Sequence, residues 1–164
     1  MPHFLFERNE GGISNFGVHR LTIIPFSLAF LACSICLAQT AHLLKPKTSI
    51  AKQFRMILIG FSALLFLTLL STYPYKLNQR LDEVHIWTGI SLFYAELSAA
   101  VWLTLRVLKN RLGYLLFFVG SAGFVLATLT FFGLIHLLFV SQIVTAAAFG
   151  LLLINGGKMV ANQQ

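Results

Sequence analysis

One carboxylate, Glu96, stands inside the otherwise uncharged apolar run of residues 84–105. It falls roughly 19 Å along a helix that rises 1.5 Å per residue, close to the middle of a hydrocarbon layer about 30 Å thick. A charge at that depth costs at least about 2.5 to 3.5 kcal/mol, so such an acid must face other helices and find a hydrogen-bond partner or take up a proton. His85, Gly89, Leu92 and Glu96 share one helical face, and Ala99, Ala100 and Leu103 continue it. Two chemistries follow. Glu96 either carries protons or floors a polar pocket open to the outer side, or it is a neutral acid bridging to Gln142, Thr68 or Thr128. A lone acid makes no relay, and five spans do not divide into the symmetric halves of a transporter, so transport is the weaker use.

Three histidines, His19, His85 and His136, fall near one boundary of the apolar runs, with Asp82, Glu83 and Glu10 at the same level. A catalytic zinc needs three ligands and an open position, but these residues form no motif such as H-E-x-x-H. The reading taken is histidines bonded to loops or headgroups, with no metal and no cofactor. Cys33 and Cys36 share a helix face at C-x-x-C spacing. No other cysteine exists to relay electrons or complete a zinc site, so they are expected to be small polarizable residues in helix packing.

The elements that hold these residues follow from charge. Residues 112–157 contain no Asp, Glu, Lys or Arg, a stretch too long for one crossing and suited to two. With three earlier windows the count is five spans, near 21–43, 56–74, 84–105, 112–131 and 134–155. A composition of 57% hydrophobic and 10% charged residues, with a mean hydropathy of +0.81, leaves no room for a sizeable water-soluble domain. The expected fold is all-α: a polytopic transmembrane helical bundle forming a single integral membrane domain over residues 1–164.

A net charge of +7 would suggest nucleic acid in a soluble chain, but here its placement reports orientation. Lys45, Lys47, Lys52, Arg55, Arg106, Lys109, Arg111 and Lys158 fall on one side of the membrane. Arg8, Arg20, Lys76 and Arg80 fall on the other, balanced by Glu7, Glu10, Asp82 and Glu83. Eight against four predicts the N-terminus outside and the C-terminus inside. Twenty residues with two acids precede the first span, which argues against a cleaved signal. Tyr73-Pro74-Tyr75 is expected to end the second span, Gly133 to turn the last hairpin, Gly156-Gly157 to stop the fifth helix, and residues 160–164 to form a frayed tail.

The string Glu10-Gly11-Gly12-Ile13-Ser14-Asn15-Phe16-Gly17 is a glycine-rich turn with Ser14 or Asn15 placed to cap the coming helix. It resembles the I-S-[DN]-x-G element in the first outer loop of two groups. One is the bacterial family termed domain of unknown function 998; the other is the damage-regulated autophagy modulator and Sfk-type family. Thr22 to Pro25 early in the next span, the Pro74-Tyr75 exit and His85 opening the following span keep the same order. The resemblance implies that the chain starts at the relatives' first outer loop, and that it belongs to a bacterial plasma membrane. It also implies roles of the kind linked to eukaryotic members: lipid remodelling, autophagy and membrane organisation. It carries over no catalytic residue.

The functional expectation is an integral membrane protein that organises membrane, interacts with lipid or serves as an accessory subunit. Its partners would be the bilayer and a membrane protein or a second copy, not nucleic acid. The alternatives are a membrane-embedded lipid-modifying enzyme using the outer histidines and acids, and a proton-coupled transporter using Glu96. The segment over residues 11–17 is expected to pack over the outer end of the bundle, bringing Ser14, Asn15 and His19 beside His85 and His136.

Overall fold

The computed structural model describes residues 12–18, 20–72 and 79–162. Its described residues form a short 3-10 helix, Ile13–Gly17, and five α-helices: α1 (Ile23–Leu43), α2 (Ser49–Thr72), α3 (Gln79–Arg106), α4 (Arg111–Phe131) and α5 (Leu138–Ala161). All five are long and apolar enough to cross a membrane. His19, the Tyr73-Pro74-Tyr75 exit and the residues before Gly12 lie outside the described residues.

Local chemistry sets the helix ends. Pro25 sits in the first turn of α1, where a missing N–H costs nothing. Leu44 leaves the helix with φ −65° and ψ 125°, and Pro46 disfavours helix at the residue before it. Thr48 Oγ1 accepts the Ala51 N–H at 3.1 Å and opens α2 at Ser49, ahead of the apolar window. Asn110 Oδ1 accepts the Gly113 N–H at 2.8 Å to open α4. These side chains take donors that the first turn leaves unmatched.

Gly133 turns the last hairpin as expected. With φ +71° it donates to Thr130 O at 2.9 Å while Leu134 N–H donates to Leu129 O at 3.0 Å, the paired bonds of a Schellman motif. Because that motif and the following turn take up residues 132–137, α5 begins at Leu138 rather than near Leu134. His136 therefore sits in the turn.

The expected stop at Gly156-Gly157 is overturned, since α5 runs on to Ala161. A Cβ at Gly157 would meet the Phe54 ring at 3.6 Å, so this glycine lies against an aromatic ring and does not end the helix. Val160, read as part of a frayed tail, is buried. Cys33 and Cys36 are both exposed, not buried in packing.

The chain divides into two compact units. The first draws on Phe16–Ala95 with Gly157–Gln164. Its α1 and α2 pack as a hairpin, tied near their centres by reciprocal bonds. Ser34 Oγ donates to Ser62 O at 2.8 Å, and Ser62 Oγ donates to Ser34 O at 2.8 Å. Phe54 and Leu58 are buried in this unit, and Phe26 stacks on Phe30 at 4.5 Å.

The second unit draws on Met1–Asn15 with Glu96–Gly156. In it α4 and α5 approach closely at Gly123, where a Cβ would collide with Thr145 Oγ1 and lie 2.9 Å from Ser141 O and 3.0 Å from Thr145 N. Thr145 Oγ1 donates to Ser141 O at 2.9 Å and lies 3.4 Å from Gly120 O on the facing helix. A small residue lets two backbones meet in a way that larger ones prevent.

Gly123→Ala should therefore destabilise the protein by about 1 to 3 kcal/mol, the usual cost of overpacking where backbone must yield. Gly60→Ala, with nothing within 4 Å of its Cβ, should leave stability unchanged or slightly raised. Thermal unfolding of both variants in one detergent gives the comparison, and equal melting temperatures would refute the close approach.

Candidate functional site

Glu96 lines a small cavity in the second unit. Leu97 and Ala100 from α3, Gly120, Ser121 and Phe124 from α4, and Thr145, Phe149 and Leu152 from α5 complete its wall. The spacings 120–124 and 145–149–152 are those of one face of a helix, so three helices turn one stripe each toward the acid. Downstream on α3, Ala99, Ala100 and Leu103 are buried. The volume open to water is about 10 Å³, the threshold for a single molecule.

The wall is apolar apart from Glu96, Ser121 and Thr145, and these differ in state. Thr145 is engaged with Ser141 O, whereas the buried Ser121 Oγ has no hydrogen-bond partner among the described residues. Thr104 Oγ1, two turns along α3 from Glu96, is likewise buried without a partner. The partners considered for the acid have bonds of their own. Thr128 Oγ1 donates to Phe124 O at 2.9 Å, Thr68 Oγ1 to Leu64 O at 2.8 Å, and Gln142 Oε1 accepts from Ile13 N–H at 2.6 Å. What the cavity offers chemically is a carboxyl and a hydroxyl around space for one water.

The remaining candidates are distributed. Ser14 and Asn15 belong to the 3-10 helix, and Gly12, with φ +66°, brings its backbone against the Gln142 side chain. That contact ties the start of the described chain to α5 within the second unit. At the other end of the turn, in the first unit, Phe16 O accepts from Thr22 Oγ1 at 2.8 Å and a Cβ at Gly17 would collide with Thr72. His85 is half-buried in the first unit, with Nδ1 3.3 Å from Ser71 Oγ. His136 is exposed in the turn before α5. Among the described residues no three His, Cys, Asp or Glu side chains gather as a metal ion would require.

Comparison with known proteins adds no relative. No family profile, curated protein or solved structure matches this chain. Its chemistry rests on its own geometry.

A second concavity was not anticipated from the sequence. In the first unit, Ser34, Ala38, Ala41 and His42 of α1 face Arg55, Ile59, Ser62, Ala63 and Phe66 of α2 across an open groove of about 420 Å³. Both sets follow helical i, i+4, i+7 spacing. The available signal was the pairing of His42 and Arg55 across a short basic connection in a stretch, residues 11–81, without any Asp or Glu.

Two sets of substitutions check the Glu96 cavity by denaturant or thermal unfolding. Ser121→Ala and Thr104→Val should be neutral or stabilising by up to about 1 kcal/mol, because each removes a buried hydroxyl that no partner repays. Glu96→Gln should keep the fold, while Glu96→Lys should cost at least about 2.5 kcal/mol by forcing a cation into an apolar space with room for one water. Equal damage from Gln and Lys would mean that Glu96 is ionised and paired.

Proposed function

We propose that this chain is a five-span integral membrane protein, N-terminus outside and C-terminus inside, that organises lipid and neighbouring membrane protein without catalysing a reaction. One observation carries the reading: every helix leaves large apolar side chains uncovered. Leu28 on α1 is 60% exposed, Leu67 on α2 52%, Val101 on α3 37%, Phe118 on α4 66% and Ile154 on α5 56%. Apolar surface on all five helices suits acyl chains as solvent and would aggregate in water.

Orientation rests on the basic residues. Lys45 and Lys47 between α1 and α2, Lys109 between α3 and α4, and Lys158 in the last turn of α5 share one side under the positive-inside rule. A cavity with room for one water favours a structural acid over a site that turns over lipid. Kinship with the bacterial family of unknown function and the autophagy-modulator group, suggested by Ile13-Ser14-Asn15-Phe16-Gly17, would agree with a membrane-organising role. A bacterial plasma membrane is the corresponding location.

Labelling with an impermeant thiol reagent tests the orientation in a background where Cys33 and Cys36 are replaced by serine. Leu134→Cys should react in intact cells, and Lys109→Cys and Asn162→Cys only after permeabilisation. The reverse pattern refutes the topology. Purified protein incubated with mixed phospholipid vesicles should release neither headgroup nor fatty acid, and product formation that Glu96→Gln abolishes would replace this reading with an enzyme.

A further inference from the structure

We infer that the groove between α1 and α2 is a binding site for one anionic phospholipid of the inner leaflet, with the phosphate at His42 and Arg55 and an acyl chain running along α2 toward Ser62 and Phe66. The inference deepens the functional reading above and rests on its orientation.

Length, lining and charge each support that occupant. From Arg55 to Phe66 the groove follows α2 for about 16 Å at 1.5 Å per residue, close to half of a hydrocarbon layer about 30 Å thick. It therefore spans one leaflet. Its volume of about 420 Å³ falls within the range of small-molecule sites, unlike the Glu96 cavity. Ile59 and Phe66 are each 44% exposed, leaving apolar surface for a chain to cover. At the inner end, the Ser34 and Ser62 hydroxyls are already satisfied by each other's carbonyls, so they make no demand on an apolar ligand.

The mouth is polar and basic. His42 and Arg55 line the groove itself, and the exposed Lys45, Lys47 and Lys52 belong to the same connection and the first turn of α2. With no acid between residues 11 and 81, nothing on this hairpin competes with a phosphate for the guanidinium. Arg presents planar paired donors to phosphate oxygens, which a zwitterionic headgroup offers with less net attraction. The cytoplasmic leaflet is where anionic lipid accumulates and where juxtamembrane cations are drawn.

Native mass spectrometry of the full chain, released from nanodiscs of equal palmitoyl-oleoyl phosphatidylglycerol and phosphatidylcholine, provides the test. The wild type should retain one phosphatidylglycerol in preference to phosphatidylcholine. Arg55→Gln should lower that retention by about tenfold or more, as loss of a charge-assisted bond implies. Ala63→Phe, which fills the groove and leaves its mouth intact, should do the same. Lys109→Gln, an equal charge change elsewhere on the basic side, should cost less than about fivefold, the general worth of one charge near anionic lipid.

Equal retention of phosphatidylcholine, or an Arg55→Gln effect no larger than that of Lys109→Gln, overturns the proposal. So does a wild-type dimer that Ala63→Phe converts to monomer, since a second copy would then occupy the groove. Should Arg55→Gln fail to fold, Ala63→Phe decides alone, and unchanged retention in it is sufficient refutation. Retention can fail while thiol labelling and the product assay hold, which sinks only the groove. Inverted labelling sinks the orientation and leaves any measured lipid retention standing.

Discussion

The controlling constraint is that hydroxyls on these helices must find acceptors inside the protein, because an apolar surround supplies none. Ser34 and Ser62 meet it together, each donating to the other's carbonyl at 2.8 Å, with the two oxygens 3.2 Å apart. The exchange fixes the register of α1 against α2, since a shift of one residue would separate both pairs. Ser71 with His85 forms a further link in the same unit, from α2 to α3. In the other unit, Thr145 reaches from α5 to Gly120 on α4.

Most other hydroxyls turn inward on their own helix. Thr40, Thr68, Thr72, Thr128 and Thr130 each donate to a carbonyl four residues back, a pattern that satisfies the group at little cost to the helix. Association between helices therefore depends on the few hydroxyls that cross and on small residues such as Gly123 that allow backbone contact. Among the described residues, Ser121 and Thr104 neither cross nor turn back. Both are in the unit that holds Glu96.

Helix number and type were legible because they depend on charge-free windows, which a single chain displays directly. Gly133 was legible too, since a left-handed turn between apolar runs favours glycine. Gly156 and Gly157 misled because glycine ends some helices and is carried inside others, and α5 continues through both to Ala161. Glu96 could be placed on a helix face by counting, but the size of its cavity depends on α4 and α5 side chains far away in sequence. The groove at His42 and Arg55 stayed hidden because its two walls come from different helices, and only their packing brings His42 opposite Arg55. The serine clamp stayed hidden because Ser62 reads equally well as a small packing residue.

The reciprocal serine bonds have a consequence for biogenesis. Their partners lie 28 residues apart, joined by one short connection, so the contact requires nothing from α3, α4 or α5. Closing so local a loop is entropically cheap and fast compared with pairing distant segments. The first two helices can thus form as a matched pair, already polar-satisfied at their centre, before the acid-bearing helix is synthesised. The groove lined by His42 and Arg55 lies on that same pair, so it too is complete once the hairpin has closed.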